Sequence, residues 1–268
     1  MTDFIWWDKD MKKYRKKYPL KPWQNALLAV LAVLFWVLVW HFGAQAANRT
    51  LTVKIPLPIE TASIFVRDLT KPAFLAAVGA SLWHILAGFL AAVLLGVLGA
   101  LASSSSRIFE KFSAPLLHLF RCVPVAALIF LGWLWIPSAL LPSLIAAIMV
   151  TPIVWSHAAA GIAAADERYA EMGRTYGMSE REITKKIRVP LISPYVRQGC
   201  VTGLGIAWKS GVAAEVISNP SGTVGALLQR GKATVEYGEV FAVTLAVILL
   251  SLILENVLKL VWKEKRHG

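Results

Sequence analysis

The sequence predicts an all-α polytopic membrane protein with about six transmembrane helices. Hydrophobic types make up 57% of the 268 residues and charged types only 16%, whereas soluble domains average about 45–50% and about 25%. The apolar residues are gathered into runs at least as long as the ~20 residues that a spanning helix requires. With only two cysteines, a disulfide-stabilised scaffold is excluded. The high hydrophobicity excludes a disordered chain and disfavours a soluble domain.

The first predicted span covers residues 23–47 and follows a basic N-terminal tail, residues 1–22. No charged residue occurs between positions 24 and 48. This apolar run is longer than the ~7–15 residues found in the hydrophobic region of a signal peptide. We therefore expect an uncleaved transmembrane helix.

Five further apolar runs follow, and each is long enough to cross a hydrocarbon core of ~30 Å. The third and fourth spans are separated only by the turn Pro137-Ser138, and the sixth ends before a basic tail, residues 263–268. Residues 23–262 are thus predicted to form one transmembrane domain. Its second to sixth spans are predicted at 73–102, 112–136, 139–165, 190–217 and 240–262.

Basic residues are concentrated in alternate loops. With both termini assigned to the cytoplasm, 19 of the 28 Lys and Arg residues fall on the cytoplasmic side and 6 on the outside. The positive-inside rule therefore predicts cytoplasmic termini. Topology also accounts for the formal net charge of +12 without a nucleic-acid partner, because no basic stripe lies on a soluble fold.

The segment 166–188 is the one sizeable charged stretch between predicted spans. It predicts two short helices separated at Gly177, because glycine adopts the left-handed conformation after a helix without steric cost. Ser179 and Glu182 have the spacing of a capping box that starts the second helix. From these residues alone, a docking element and a solvated linker fit the pattern equally well.

The segment 166–188 resembles the EAA loop of ABC importer permeases, the membrane subunits of ATP-driven uptake systems. That loop has the pattern Glu-Ala-Ala, three residues, Gly, nine residues, Ile, any residue, Leu, Pro. Glu171, Gly177, Ile187 and Pro190 occupy the corresponding positions with unbroken spacing. The departures from the pattern are Met172, Gly173 and Val189. The resemblance implies an ATPase-coupling site formed by Ala170, Glu171, Met172, Gly173, Gly177, Ser179, Ile187 and Pro190.

Over residues 75–260 the chain is most similar to the nitrate, taurine and sulfonate branch of these permeases. The shared motifs are Ser81-Leu82 with Gly88-Phe89, Arg121 with Pro124, and Ala207-Trp208 followed by Ala214-Glu215. His84 stands where the branch has arginine, and Gly222-Thr223-Val224-Gly225 replaces its Gly-Leu-Gly. The resemblance implies a small solute, with an anion such as a sulfonate as the expected class.

The resemblance also implies the fold of a type I ABC importer permease that works by alternating access in the cell inner membrane. Two permease subunits, expected to be identical, would form the pore. Two copies of an ABC ATPase would bind in the cytoplasm, and an external binding protein would deliver the solute. This chain has no phosphate-binding loop of the form Gly, four residues, Gly-Lys-Ser/Thr. We therefore expect no enzymatic activity, no metal site and no cofactor here, with ATP and Mg²⁺ bound by the ATPase.

Ionisable residues within predicted spans are costly and suggest functional roles. Lys209 lies in the fifth span, where it would attract an anionic solute, and Glu215 and Trp208 belong to the same span. With Arg121 of the third span, these residues are the candidate pathway or gate residues. The alternatives are snorkelling of Lys209 to the outer interface or its pairing with Glu215, and snorkelling of Arg121 to the cytoplasm.

A standalone secondary transporter and a membrane-embedded enzyme are the alternatives to the permease. A standalone secondary transporter often shows inverted repeats and broken helices, and this sequence has no evident internal repeat. A membrane-embedded enzyme would need paired catalytic groups on facing helices, which the sequence does not offer. The secondary transporter is the alternative that the sequence leaves open.

Overall fold

A computed structural model describes residues 21–50, 52, 54–165 and 167–261, and within these ranges every regular element is helical. The predicted all-α fold class is confirmed. Residues 1–20 of the predicted N-terminal tail and the tail 263–268 lie outside the described residues. A π-helical turn, Thr184–Arg188, joins the helices Glu180–Ile183 and Val189–Ser218. The helices are α1 (Pro22–Ala47), α2 (Pro58–Leu69), α3 (Pro72–Ser105), α4 (Arg107–Cys122), α5 (Val125–Trp133), α6 (Leu141–Ala164), α7 (Glu167–Thr175), α8 (Glu180–Ile183), α9 (Val189–Ser218), α10 (Val224–Ala233) and α11 (Tyr237–Val261).

The chain divides into two compact units, residues 1–62 and 63–268. In the first unit, α1 contains no charged residue, as expected of a helix that is surrounded by lipid. The loop that follows α1 is closed by Asn48, whose side chain accepts a hydrogen bond from Ile55 N (2.7 Å) and donates one to Ile55 O (2.9 Å).

Among the described residues, five helical stretches are long and apolar enough to cross a membrane: α1, α3, α6, Glu180–Ser218 and α11. The structure differs from the predicted single span at 112–136, because α4 and α5 meet at a bend of 101°. Val123 and Pro124 are both extended, with ψ of 129° and 130°. Proline disfavours a helical conformation in the residue before it and lacks the N–H that would continue the helix. With the bent pair counted as one span, six spans result.

The centre of the second unit is an apolar core formed by α3, α6 and α9. Trp208 of α9 is its largest fully buried side chain and belongs to one cluster with Ile85 of α3 and Val150 of α6. Glycines let these helices approach closely: a Cβ atom at Gly88 would lie 2.1 Å from the backbone oxygen of Ser143. In a membrane such close packing stabilises helix pairs through van der Waals contact. The core therefore fixes α9, the helix that carries Trp208, Lys209 and Glu215, three of the four candidate pathway residues.

Candidate functional site

The segment from α7 to the start of α9 contains two short helices with a break between them, as the sequence predicts. Gly177 has a φ of +76°, a conformation that side chains disfavour and glycine adopts freely. Its N–H donates to Arg174 O (2.9 Å), and Met178 N–H donates to Gly173 O (3.1 Å). These bonds satisfy carbonyl groups at the end of α7 that have no partner within the helix.

The second helix of the segment begins with the predicted capping box. Glu182 N–H donates to Ser179 Oγ (3.4 Å), and Ser179 N–H donates to Glu182 Oε2 (3.1 Å). Lys186 Nζ donates to Glu182 Oε1 (2.9 Å). The hydrogen bond from Lys186, followed by those from Ser179, lowers the pKa of the Glu182 carboxyl from 4.5 to about 2. The capping box is therefore held by an ionised carboxylate at neutral pH.

The stretch Glu180–Ser218 is longer than a membrane requires. Its 39 residues extend over roughly 58 Å, whereas the hydrocarbon core is about 30 Å thick. The charged end, which carries Glu180, Glu182, Lys185, Lys186 and Arg188, therefore lies outside the apolar layer. The segment is an extramembrane extension of a helix whose other end reaches the opposite side of the core.

One face of the segment is packed against itself. Ala170 and Ile183 are almost completely buried. A Cβ atom at Gly173 would lie 3.0 Å from Ile187 Cδ1 and 3.1 Å from Ile183 Cγ1. The glycine at position 173 therefore allows α7 to pack directly against two isoleucines, which explains the departure from the alanine of the resembled loop.

A neighbouring side of α7, extended by one residue to Tyr176, carries a stripe of exposed apolar and aromatic side chains. Tyr169, Met172 and Tyr176 are 47%, 53% and 81% exposed, and their spacing of three and four residues places them on one side of the helix. We call these three residues the α7 stripe. A contiguous apolar patch outside the membrane is characteristic of a protein–protein contact. The sequence interpretation included Met172 but missed both tyrosines, although their spacing was visible.

The four predicted pathway residues do not form one cluster. Trp208 is buried, and its Nε1 donates to Val247 O of α11 (3.0 Å). Arg121 donates to Pro152 O (3.1 Å) and to Ser156 Oγ of α6, so it joins α4 to α6. Glu215 is buried and Lys209 is exposed, and in the described part of the chain no ion pair connects them.

Lys209 belongs to a polar stripe on the exposed side of α9. Tyr195, Gln198, Thr202 and Lys209 are all exposed, and at 100° per residue they fall within about 60° of one another around the helix. We call these four residues the α9 stripe. Hydroxyl, amide and ammonium groups at membrane depth favour a water-filled space or another protein over lipid. The sequence interpretation selected only Lys209 from this set.

Glu215 lies near the other end of α9 and is completely buried. Its Oε2 accepts hydrogen bonds from Ser81 Oγ of α3 (2.7 Å) and from Gly225 N–H of α10 (3.1 Å). His84 Nδ1 is 3.8 Å from Glu215 Oε1. Glu215 is thus a point of contact between three helices. Among the described residues, no group of three or more His, Cys, Asp or Glu side chains has a geometry that could hold a metal ion.

Comparisons of the sequence and the fold with known proteins identify the family of this chain. The model of the family described as "binding-protein-dependent transport system inner membrane component" matches residues 92–267. The bicarbonate transport system permease of Synechococcus elongatus is 25% identical, covering 80% of this chain and 78% of that protein. The nitrate import permease of Synechocystis sp. is 26% identical, covering 71% and 70%.

A solved structure of an amino acid ABC transporter has a similar fold. One of its chains aligns with a TM-score of 0.61 at 17% identity, and the alignment covers 77% of this chain and 98% of that chain. At this identity the similarity establishes the fold alone. The secondary transporter is not favoured by these comparisons, and the matched family consists of transport components rather than catalytic proteins. The chain therefore belongs to the binding-protein-dependent transport system inner membrane component family and is a multi-pass permease subunit of an ABC importer, in the branch of nitrate, sulfonate and bicarbonate permeases.

Proposed function

We propose that this permease imports a small monovalent oxyanion and that residues 166–188 dock a separate ABC ATPase. Two copies of the chain form the pore, each copy binds one ATPase subunit, and an external binding protein delivers the solute. ATP and Mg²⁺ are held by the ATPase. Both termini and the docking segment lie on the cytoplasmic side of the inner membrane, as the distribution of basic residues indicates.

The observation that carries the docking proposal is the α7 stripe. Its three side chains are exposed in a segment that is outside the apolar layer, where water disfavours an uncovered apolar surface. Ala170 and Ile183 are buried inside the same segment, so the helix that carries the stripe is held in place by packing. A partner protein that covers Tyr169, Met172 and Tyr176 would remove this surface from water.

The second half of the docking segment, from Glu180, is continuous with the helix that enters the membrane core, and α7 packs on it where Gly173 contacts Ile183 and Ile187. The chain is helical without interruption from Glu180 to Ser218, through the π-helical turn Thr184–Arg188. Motion of a docked ATPase is therefore passed to α9, which presents the α9 stripe at membrane depth. Such a coupling of rigid bodies is sufficient to alternate the access of a pore between two sides.

The substrate proposal is supported by the α9 stripe and by the chemistry of the relatives' solutes. Bicarbonate and nitrate, which the relatives' names state, are both small oxygen-rich monoanions. Lys209 supplies a positive charge, and Thr202, Gln198 and Tyr195 supply hydrogen-bond donors along the same face. An anion that leaves its hydration shell is stabilised by such groups.

Docking is tested by co-purification of the permease with ABC ATPases expressed from the same genome. Tyr176→Asp places a charge at the most exposed side chain of the α7 stripe, and we expect loss of the bound ATPase and of uptake. Tyr176→Phe keeps the apolar ring and is the matched control, with co-purification retained. Equal ATPase recovery with both variants would rule out docking through the α7 stripe.

The substrate class is tested by uptake of bicarbonate, nitrate and an alkylsulfonate into proteoliposomes that contain the complete transporter. Lys209→Met removes the charge and keeps the length of the side chain, and we expect uptake to fall about tenfold, as for a lost charge-assisted hydrogen bond. Lys209→Arg keeps the charge and retains most of the activity. Unchanged uptake with Lys209→Met would exclude the residue from the pathway.

A further inference from the structure

The first turn of α10 is fastened to the membrane core by two buried side chains. Ser81 Oγ of α3 donates to Glu215 Oε2 of α9 (2.7 Å) and accepts from Val224 N–H (2.9 Å). Glu215 Oε2 also accepts from Gly225 N–H (3.1 Å). Ser81 and Glu215 are both completely buried. We call the group formed by Ser81, Glu215 and the two N–H groups the Glu215 clamp.

The clamp satisfies helix-end groups that have no partner within α10. The first N–H groups of a helix lack intrahelical acceptors and carry a partial positive charge. Val224 and Gly225 donate theirs to the clamp, and Ala226 donates to Thr223 Oγ1 (3.2 Å). A carboxylate at this position is favoured by the helix dipole. The orientation of α10 is therefore determined by residues of α3 and α9 as well as by its own cap.

The backbone of α10 approaches Glu215 so closely that only glycine fits. A Cβ atom at Gly225 would lie 2.3 Å from Glu215 Cβ and 2.6 Å from Val216 N. A second connection lies one turn along α10, where Gln229 Nε2 donates to Val216 O (2.6 Å). These contacts join α9 and α10 at two points about one turn apart.

His84 faces the remaining oxygen of the clamp. Its Nδ1 is 3.8 Å from Glu215 Oε1, and neither atom has a hydrogen-bond partner within the described ranges. His84 is one turn from Ser81 on α3, so the carboxylate is approached by two side chains of the same helix. This arrangement gives α3 a polar contact with each oxygen of Glu215.

We propose that the Glu215 clamp makes α10 move as one body with α9 and α3, and so carries motion from the docking segment to the opposite side of the membrane. Glu215 is about 40 Å along α9 from Val189 at 1.5 Å per residue. In this role Glu215 is a positioning residue that acts through α10 and does not contact the solute. The proposal rests on docking of the ATPase at residues 166–188.

The clamp is tested in the complete transporter, reconstituted with its ATPase and its binding protein. The measured quantity is the ratio of ATPase activity with and without solute-loaded binding protein, together with the yield of co-purified ATPase. The variants are Glu215→Ala, Ser81→Ala and Glu215→Gln. Ser218→Ala is the matched control, because its buried hydroxyl donates only within α9, to Ala214 O (2.7 Å).

We expect Glu215→Ala and Ser81→Ala to keep the co-purified ATPase and to lower the stimulation ratio about tenfold, as for the loss of a hydrogen bond to a charged group. Glu215→Gln retains an acceptor oxygen for both hydrogen bonds and therefore has a smaller effect. Ser218→Ala leaves the ratio unchanged. If the Glu215→Ala permease does not assemble with its ATPase, the stimulation ratio of Ser81→Ala tests the clamp alone, because that substitution removes only one hydroxyl group.

A clamp that only stabilises the fold would lower the thermal stability and the yield of the complex without changing the stimulation ratio, and that result would overturn the proposal. A ratio within twofold of the unsubstituted transporter in both Glu215→Ala and Ser81→Ala would also overturn it. Equal recovery of the ATPase with Tyr176→Phe and Tyr176→Asp would overturn docking through the α7 stripe, whereas the clamp is judged from the stimulation ratio of variants that keep the ATPase bound. The two proposals therefore fail separately.

Discussion

The docking segment and the Glu215 clamp are both held by hydrogen bonds at helix ends, but the bonded residues are separated very differently along the chain. Ser179 and Glu182 are three residues apart and exposed, whereas Ser81 and Glu215 are 134 residues apart and buried. The hydrogen bond between Ser179 and Glu182 forms together with α8, because both residues belong to the start of that helix. The second exists only after α3, α9 and α10 have packed together.

This difference has an energetic consequence. Exposed ion pairs contribute little to stability because water and salt screen them. A buried polar group that loses its partner costs about 1–3 kcal/mol. Substitutions in the clamp should therefore affect the whole membrane unit, while those in the docking segment should act locally.

The largest expected effect is that of Gly225→Ala. The added methyl group would lie within 2.6 Å of three atoms of Glu215 and Val216, and overpacking of this kind costs about 1–3 kcal/mol. Thermal unfolding of the detergent-solubilised protein measures the loss. Gly79→Ala is the control on α3, where a Cβ atom meets nothing within 4 Å, and it should raise stability slightly. Equal unfolding temperatures for the two variants would contradict the packing at Gly225.

A smaller and local effect is expected of Gly177→Ala. A left-handed backbone costs a non-glycine residue about 1–2 kcal/mol, and Gly177 has a φ of +76° with open space around it. Hydrogen exchange should increase in residues 170–183 and remain unchanged in α3 and α6. Gly177→Asn should be milder, because asparagine tolerates this conformation. Protection that is identical in all three proteins would show that the turn is not strained.

The smallest effect is the pH dependence of the capping box. Because its bonds to Lys186 and Ser179 lower the pKa of Glu182 from 4.5 to about 2, they stabilise the fold fully above about pH 4.5. This stabilisation is lost as the pH falls towards 2, since the folded form binds the proton more weakly than the unfolded chain. The ¹³C chemical shift of the Glu182 carboxyl measures the titration. A midpoint near 4.5 would contradict the hydrogen bond from Lys186, and Lys186→Gln should raise the midpoint.

The features that follow from neighbouring residues were predictable. The all-helical fold, the break at Gly177 and the capping box at Ser179 all depend on hydrophobic run length or on residues a few positions apart. The bend between α4 and α5 was missed, although Pro124 was visible in the sequence, because hydropathy reports the length of an apolar run and not its direction. Of the α7 stripe only Met172 was predicted, because spacing places its two tyrosines on the same side of the helix but does not show whether that side is exposed.

The roles of the charged residues within the spans were decided by tertiary structure. Lys209 and Glu215 are six positions apart on one helix, yet Lys209 is exposed and Glu215 is buried against Ser81 and Gly225. A sequence states that both are ionisable and at membrane depth, and it does not state which neighbouring helix each one meets. By itself the sequence determined the membrane fold and the local form of the docking segment, because hydrophobic run length and helix caps are short-range properties. The burial of Glu215 depends on residues more than a hundred positions away, and only the packing of helices brings them together.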